Sequence, residues 1–211
     1  MQLFDLDYEL ARRVPLPRLV PSLDPVLAFF ALLMLSPFLI LIAVAIYMDS
    51  EGPVLFRQTR TGMNGQKFSI YKFRSMHVQE NGAIVRQVTK VDPRVTRVGN
   101  FLRRTSLDEL PQLLNVLRGE MALVGPRPHA VAHDVYYSRH ISNYAQRFAV
   151  KPGLTGWAQI NGSRGETPTL GHMERRIELD LWYVKRRSLA LDLSIMARTV
   201  LAEVTRQTNA Y

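Results

Sequence analysis

The sequence predicts an α+β chain, with a re-entrant membrane helix ahead of a mainly helical cytosolic domain that contains a small strand pair. Three observations carry that prediction. From 26 to 48 no side chain is charged, and as a helix this run spans roughly 35 Å at about 1.5 Å per residue, enough to cross a bilayer. Basic residues flank it on both sides, Arg12, Arg13 and Arg18 before it and Arg57, Arg60 and Lys67 after it. Beyond Gly52-Pro53 the pattern changes to short aromatic and β-branched runs and then to segments of helical period. The expected organisation is an N-terminal segment over 1–22, the membrane helix over 23–49, and a cytosolic domain with membrane-associated helices over 50–211.

Asp24 and Pro25 suit the N-cap and first position of the apolar helix. Ser36-Pro37 falls in its middle, where a proline removes one backbone bond and crowds the preceding turn, so a kink or break is expected; a serine hydroxyl can help satisfy the freed backbone. Each basic flank prefers the cytoplasm. A straight span cannot satisfy both flanks, whereas a helix that bends at Ser36-Pro37 and returns to its own leaflet can. Two alternatives stand beside this reading: a kinked single span, and a secretory signal with Ala43-Val44-Ala45 imitating a cleavage site, although the run exceeds the usual core of about 7–15 residues.

After the apolar segment, 54–59 and 68–73 read as strands joined around Asn64-Gly65, a good turn signal. The second ends on Lys72-Phe73-Arg74, cations whose ordinary role is a solvated strand edge. Residues 79–100 are polar, with Gly82, Pro93 and Gly99, and read as a surface loop or lid. A helix is expected from about 108 to 117, stopped by Gly119. Gly125-Pro126-Arg127-Pro128 is too rigid for a helix or central strand and fixes one guanidinium between two prolines. Helices are expected over 130–150 and 173–184. A third, over 191–204, is amphipathic, with Leu193, Met196, Val200 and Val204 on one side; these last two helices can lie on a membrane or pack in the core, packing being commoner. Lys151-Pro152-Gly153-Leu154-Thr155-Gly156-Trp157 can cradle a nucleotide or simply turn the chain. His129 and His133 lack the acidic partner of a zinc motif, and no Walker loop, dinucleotide fingerprint or repeat is present.

The run Thr105-Ser106-Leu107-Asp108-Glu109-Leu110-Pro111-Gln112 carries the chemistry. It sets two carboxylates at a helix start just after Arg103 and Arg104. A carboxylate there can attack phosphorus, while guanidinium groups and free N–H groups favour bound phosphate. Ser106 with Glu109 is equally a capping box, which does no more than satisfy backbone donors. Asp108 as N-cap places Pro111 harmlessly in the first turn.

With 211 residues, 47% of them hydrophobic, the chain can bury one ordinary core. A formal charge of +9 suits nucleic acid, an anionic bilayer or phosphorylated small molecules, and does not choose among them. There is no cysteine, which excludes disulfides and thiolate metal sites.

Taken together, the segments resemble the bacterial sugar transferases known as monotopic phosphoglycosyl transferases. Phe56-Arg57-Gln58, Lys72-Phe73-Arg74-Ser75-Met76, the run from Ser106 to Leu113, Val124-Gly125-Pro126-Arg127-Pro128 and Lys151-Pro152-Gly153-Leu154-Thr155-Gly156 follow that family in order and spacing over roughly 23–192. The resemblance implies a helix re-entering at Ser36-Pro37, on the cytosolic face of the bacterial inner membrane. It implies that Asp108 attacks the sugar-bearing phosphate of a UDP-sugar, releasing UMP, and that undecaprenyl phosphate then accepts the phosphosugar, a step that initiates exopolysaccharide or glycan assembly. Glu109 matches the magnesium-binding acid. Arg103, Arg104, Lys72, Arg74 and Arg127 become candidate phosphate contacts. Trp157-Ala158-Gln159-Ile160-Asn161-Gly162, with Arg164-Gly165-Glu166-Thr167 after it, resembles the branch that transfers glucose 1-phosphate. The implied partners are the donor, the lipid acceptor and membrane lipid, with no nucleic acid; a homo-oligomer is left open. Larger members carry several spanning helices and an extra N-terminal domain, so the chain is either a minimal enzyme or the catalytic part of a longer one. The rival from another class is a membrane-anchored basic binder of nucleic acid or anionic lipid, which needs neither acidic residue.

Overall fold

A computed structural model of the chain describes residues 22–77 and 92–205. Arg12, Arg13 and Arg18, and most of the expected loop at 79–100, lie outside them.

The apolar run forms one helix, α1 (Asp24–Asp49). Its N-cap is Leu23 rather than Asp24, and Pro25 sits in the first turn. The expected break at Ser36-Pro37 is not a break in the helical element. The carbonyl orphaned by Pro37 is that of Leu33, four residues back, and the Ser36 hydroxyl donates to that oxygen at 2.8 Å. A buried stripe runs through the proline without a change of phase. Ala28, Leu32 and Leu35 pack with Ile70, Leu113 and Val116, while Leu39, Ile42 and Ile46 pack with Phe73 and Leu102. Spacings of three and four throughout are those of one helix face. Both halves of α1 therefore lie against the same globular body, and the opposite side, including Phe30, Leu33, Met34, Leu41 and Met48, stays exposed. The helix is long and apolar enough to cross a membrane.

Strands β1 (Leu55–Thr61) and β2 (Lys67–Phe73) form the expected antiparallel hairpin, from Leu55 opposite Phe73 to Thr61 opposite Lys67. Asn64 takes the left-handed conformation at φ 53° that the turn requires. The free edge of β2 is closed by one side chain. Asn115, wholly buried, accepts from Tyr71 N–H and donates to Ser69 O, acting as a strand partner.

The segment read as loop up to 100 instead enters helix α2 (Arg97–Arg104), where Thr96 caps the N-terminus by accepting from Gly99 N–H. The helix expected from 108 to 117 is two pieces: a 3₁₀ turn (Leu107–Gln112) that accommodates Pro111, then α3 (Leu113–Leu117). A second strand pair was not foreseen. β3 (Ala122–Val124) and β4 (Gly153–Thr155) run parallel. Between them the helix expected over 130–150 is interrupted, giving α4 (Val131–His140) and a 3₁₀ segment (Tyr144–Ala149). These pack Tyr137, Tyr144 and Phe148 against Met173, Ile177 and Leu181 of α6 (Leu170–Arg186), which follows the short α5 (Trp157–Ile160). The last helix, α7 (Leu189–Val204), buries only Ile195 fully. Leu193, Val200, Leu201 and Val204 are exposed, so the commoner outcome of core packing does not hold for this face.

Candidate active site

Ser106 adopts a left-handed conformation at φ 56°, which turns the chain out of α2 and directs the next two carboxyl groups inward. The capping box is not made: the Ser106 side chain forms no cap bond and instead donates to Glu203 Oε1 and accepts from Arg164 Nη2. Asp108 and Glu109 are both buried, 7% and 8% exposed.

Their surroundings differ. Glu109 accepts from Lys72 Nζ at 2.7 Å and from both terminal nitrogens of Arg127, at 3.0 Å on Oε2 and again on Oε1. Burial alone would raise its pKa, but Arg127 and Lys72 outweigh burial and hold the carboxyl well below the usual range. Asp108 is reached by Lys72, Arg103 and Arg127 only through space; burial, and then the charge on Glu109, push its pKa up to about 6. One member of the pair is thus gripped and favoured as an anion, while the other is left to titrate at about 6. Such separation of like groups is a mark of acid–base or nucleophilic sites.

Arg127 is aimed by its frame. The prolines on either side restrict it, Arg147 donates to its carbonyl oxygen, and Arg60 donates to the carbonyl of Pro128. Arg147 is anchored on Asp180 at 2.9 Å and lies 3.8 Å from Asp134, which accepts from the Tyr144 hydroxyl. His129 belongs to this network, 2.7 Å from Tyr144, and burial with neighbouring guanidinium charge keeps it neutral, its pKa well below 6.5. The glycine-rich loop is part of the same frame. A Cβ on Gly153 would come within 2.0 Å of Gly125 N, and one on Gly125 within 2.4 Å of Lys151 O, so β4 and the segment leading to Arg127 pack backbone against backbone. Trp157 is stacked on Trp182 at 4.4 Å, and Arg198 lies over its ring.

Of the expected phosphate contacts, Lys72 and Arg127 are brought to the acidic pair and Arg103 acts on Asp108. Arg104 is exposed on the last turn of α2. Arg74 is not brought there: 2% exposed, it donates to Pro53 O, Ile46 O, Ser50 O and Ser50 Oγ, tying β2 to the C-terminus of α1. Ser36 and Pro37 lie in the middle of α1, in the turn between its two buried clusters. Sequence reasoning missed Asn115, Arg147, Asp180 and the Ser106–Arg164–Glu203 triad. All act across long sequence separations, up to 97 residues for Ser106 with Glu203, and no local pattern marks them.

No group of three or more His, Asp or Glu side chains converges among the described residues, so these residues offer no cage of their own for a cation. Magnesium asks for less, one or two carboxylates with substrate phosphates and water in the remaining positions. Glu109 fits that demand as a single carboxylate. Glu109 keeps about one of its roughly four acceptor positions after its bonds to Lys72 and Arg127.

A cavity of about 400 Å³ opens beside Glu109, between the 3₁₀ turn, the parallel strand pair and α7.

The sequence pattern of the bacterial sugar transferases matches residues 18–206. The chain is 59% identical over 177 residues to the UDP-glucose:undecaprenyl-phosphate glucose-1-phosphate transferase of Escherichia coli, 84% of this chain and 38% of that protein. Proteins of the same name from Xanthomonas campestris and Caulobacter vibrioides are 53% and 52% identical, covering 89% and 93% of this chain and 39% and 75% of theirs. The chain therefore spans about two fifths of the length of the first two.

Proposed function

From its membership of the bacterial sugar transferase family, to which the chain belongs, we propose that it moves a hexose 1-phosphate, glucose 1-phosphate by its relatives, from a UDP-sugar to undecaprenyl phosphate. The observation that carries this reading is the buried acidic pair in which Lys72 and Arg127 grip Glu109 and leave the adjacent Asp108 carboxyl ungripped, with burial and Glu109 raising the Asp108 pKa to about 6.

The Asp108 carboxylate attacks the sugar-bearing phosphorus of the donor. The bond from that phosphorus to the UMP oxygen breaks, UMP leaves with the electron pair, and an acyl phosphate joins Asp108 to the phosphosugar. A phosphate oxygen of undecaprenyl phosphate then attacks the same phosphorus, the bond to Asp108 breaks, and the carboxylate is regenerated with the sugar on a lipid diphosphate. Arg127, Lys72 and Arg103 supply positive charge where the diphosphate must sit. The fixed frame around Arg127 keeps that charge in place without reorganisation. Glu109, with Asp108 beside it, would hold magnesium, whose chemistry there is to screen the diphosphate and stabilise the departing UMP.

The reading includes placement at the membrane, and α1 supports it. A helix packed along both halves on one globular body, with its other side apolar and exposed, suits entry into a single leaflet from the cytosolic face better than a crossing. The exposed stripe of α7 suits the same surface. A basic binder without chemistry would present its cations to solvent, whereas Lys72, Arg127 and Arg147 are turned onto carboxylates.

The test is mass spectrometry of detergent-solubilised protein mixed with UDP-glucose alone. Wild type should gain a phosphohexose adduct on Asp108 and release UMP. Asp108→Asn should do neither while keeping its melting behaviour, because the amide preserves shape and removes the nucleophilic charge. An adduct on another residue, or turnover by Asp108→Asn, would overturn the assignment. The magnesium reading is checked by titration: Glu109→Gln should need several-fold more magnesium for the same rate, and an unchanged requirement would remove Glu109 from the metal.

A further inference from the structure

We propose that the cavity between the catalytic turn and α7 receives the first isoprene units of the polyprenyl acceptor, a placement that rests on the transferase reading above. Glu109 stands in its wall, while its neighbour Asp108 does not line it, so a chain lying there has its phosphate end directed toward the acidic pair from the Glu109 side. At about 400 Å³ it falls within the usual size of ligand sites, about 300–1,000 Å³.

Three features of the wall choose the hydrocarbon over the donor. The first is charge. The lining holds Glu109 and Glu203 against one guanidinium, Arg164, which is paired with Glu203. Lys72 and Arg127, the cations suited to a diphosphate, are not in it. The second is that its polar groups are occupied with one another. Ser106, Arg164 and Glu203 form a closed triad, and Thr155 is bonded to Thr199 at 2.7 Å. Gln159 Oε1 is a lone buried acceptor without a donor, too little for a hexose ring, whose hydroxyls each need a partner. What remains facing the space is Leu123, Leu154, Ile160, Met196 and Val200.

The third feature is continuity. Val200 lines the cavity and belongs to the exposed stripe of α7 with Leu193, Leu201 and Val204. The cavity thus joins the one face of this helix that solvent disfavours and a lipid surface accepts. A long isoprenoid can leave the cavity past Val200 along that face. The triad closes the other side and ties Glu203 of α7 to Ser106, two residues before Asp108, so the helix that flanks the chain also braces the catalytic turn.

Two measurements test this. In the first, Val200→Trp, at a position already 63% exposed and so tolerant of bulk, is compared with wild type in separate half-reactions. Adduct formation from UDP-glucose should stay within about twofold, and transfer from the preloaded adduct to undecaprenyl phosphate should slow about tenfold or more. Equal loss in both halves would give the cavity to the donor, and no loss in either would leave it outside turnover; both overturn the proposal. In the second, a polyprenyl phosphate carrying a diazirine on its first isoprene unit is photolysed with the protein. Crosslinks should map to the peptides holding Ile160 and Met196, and crosslinks elsewhere overturn the proposal. This readout needs no catalysis, so absence of any adduct with UDP-sugars would count against the transferase reading while the crosslink map still decides the fate of the cavity.

Discussion

Asp108 and Glu109 are chemically alike and adjacent, and their neighbours drive their protonation apart. A nucleophilic carboxylate must be ionised, and Asp108 is pushed up to about 6, so adduct formation should fall as pH drops below about 6, approaching tenfold per pH unit. Glu109 contributes to that rise by its negative charge and also by occupying Lys72 and Arg127. Replacing it by Gln removes the repulsion and frees both cations to act on Asp108. The acid limb of the single-turnover profile should then move to lower pH; a limb that stays or moves up would show that burial alone sets the Asp108 value. The pair was legible in the sequence because two acids after two arginines is a local pattern. Its partners were only half legible. Lys72 and Arg127 were expected on phosphate, and here they grip Glu109, because burying an unpaired carboxylate costs more than any phosphate can repay before it arrives. Arg74 was misplaced for a related reason: cation spacing along a strand does not tell which arginine meets the last carbonyls of a helix.

At the scale of elements, the loop from Lys151 to Gly156 is held by packing that its own sequence does not display. Its glycines suggested a cradle or a turn, and their geometry shows two backbones in contact. Gly153→Ala would place a methyl group 2.0 Å from Gly125 N, so β3, β4 and the Arg127 segment must part. A loss of about 3 kcal/mol or more is expected, at the upper end of overpacking costs. Gly162→Ala is the matching control: nothing lies within 4 Å of its Cβ, leaving only the cost of φ +84°, about 1 kcal/mol. Denaturant melts of the two variants measure the difference, and equal losses would mean that the strand pair can open without penalty. The hairpin, α6 and the start of α1 were readable from periodicity and turn chemistry. The β3–β4 pair was not, because each strand has three residues and pairs across the whole of α4, leaving no pattern long enough to read.

For the whole molecule the question is which side of the bilayer each end of α1 faces. The apolar run and its basic flanks were visible in sequence, but the buried stripe from Ala28 to Ile46 was not, since in an all-apolar helix every face looks alike. That stripe now bears on topology. A spanning α1 would have to leave one of its two packed halves, exposing either Ile70, Leu113 and Val116 or Phe73 and Leu102. Entry into one leaflet exposes neither. Single cysteines at Ser22, two residues before α1, and at Gln66, exposed in the hairpin turn beyond its other end, are free of background because the chain has none, and both should resist a membrane-impermeant thiol reagent in intact cells and react after lysis. Combining Ser22→Cys with Pro37→Leu restores the backbone bond that the Ser36 hydroxyl now replaces, and a helix so strengthened gains in the competition for a full crossing. The packed stripe opposes that, so the expected outcome is partial labelling from outside in the double variant and none in the single. Full labelling of Ser22→Cys alone would establish a true span, and the contacts along α1 would then have to re-form around a helix that leaves the body, with Asp108 still facing the cytosol.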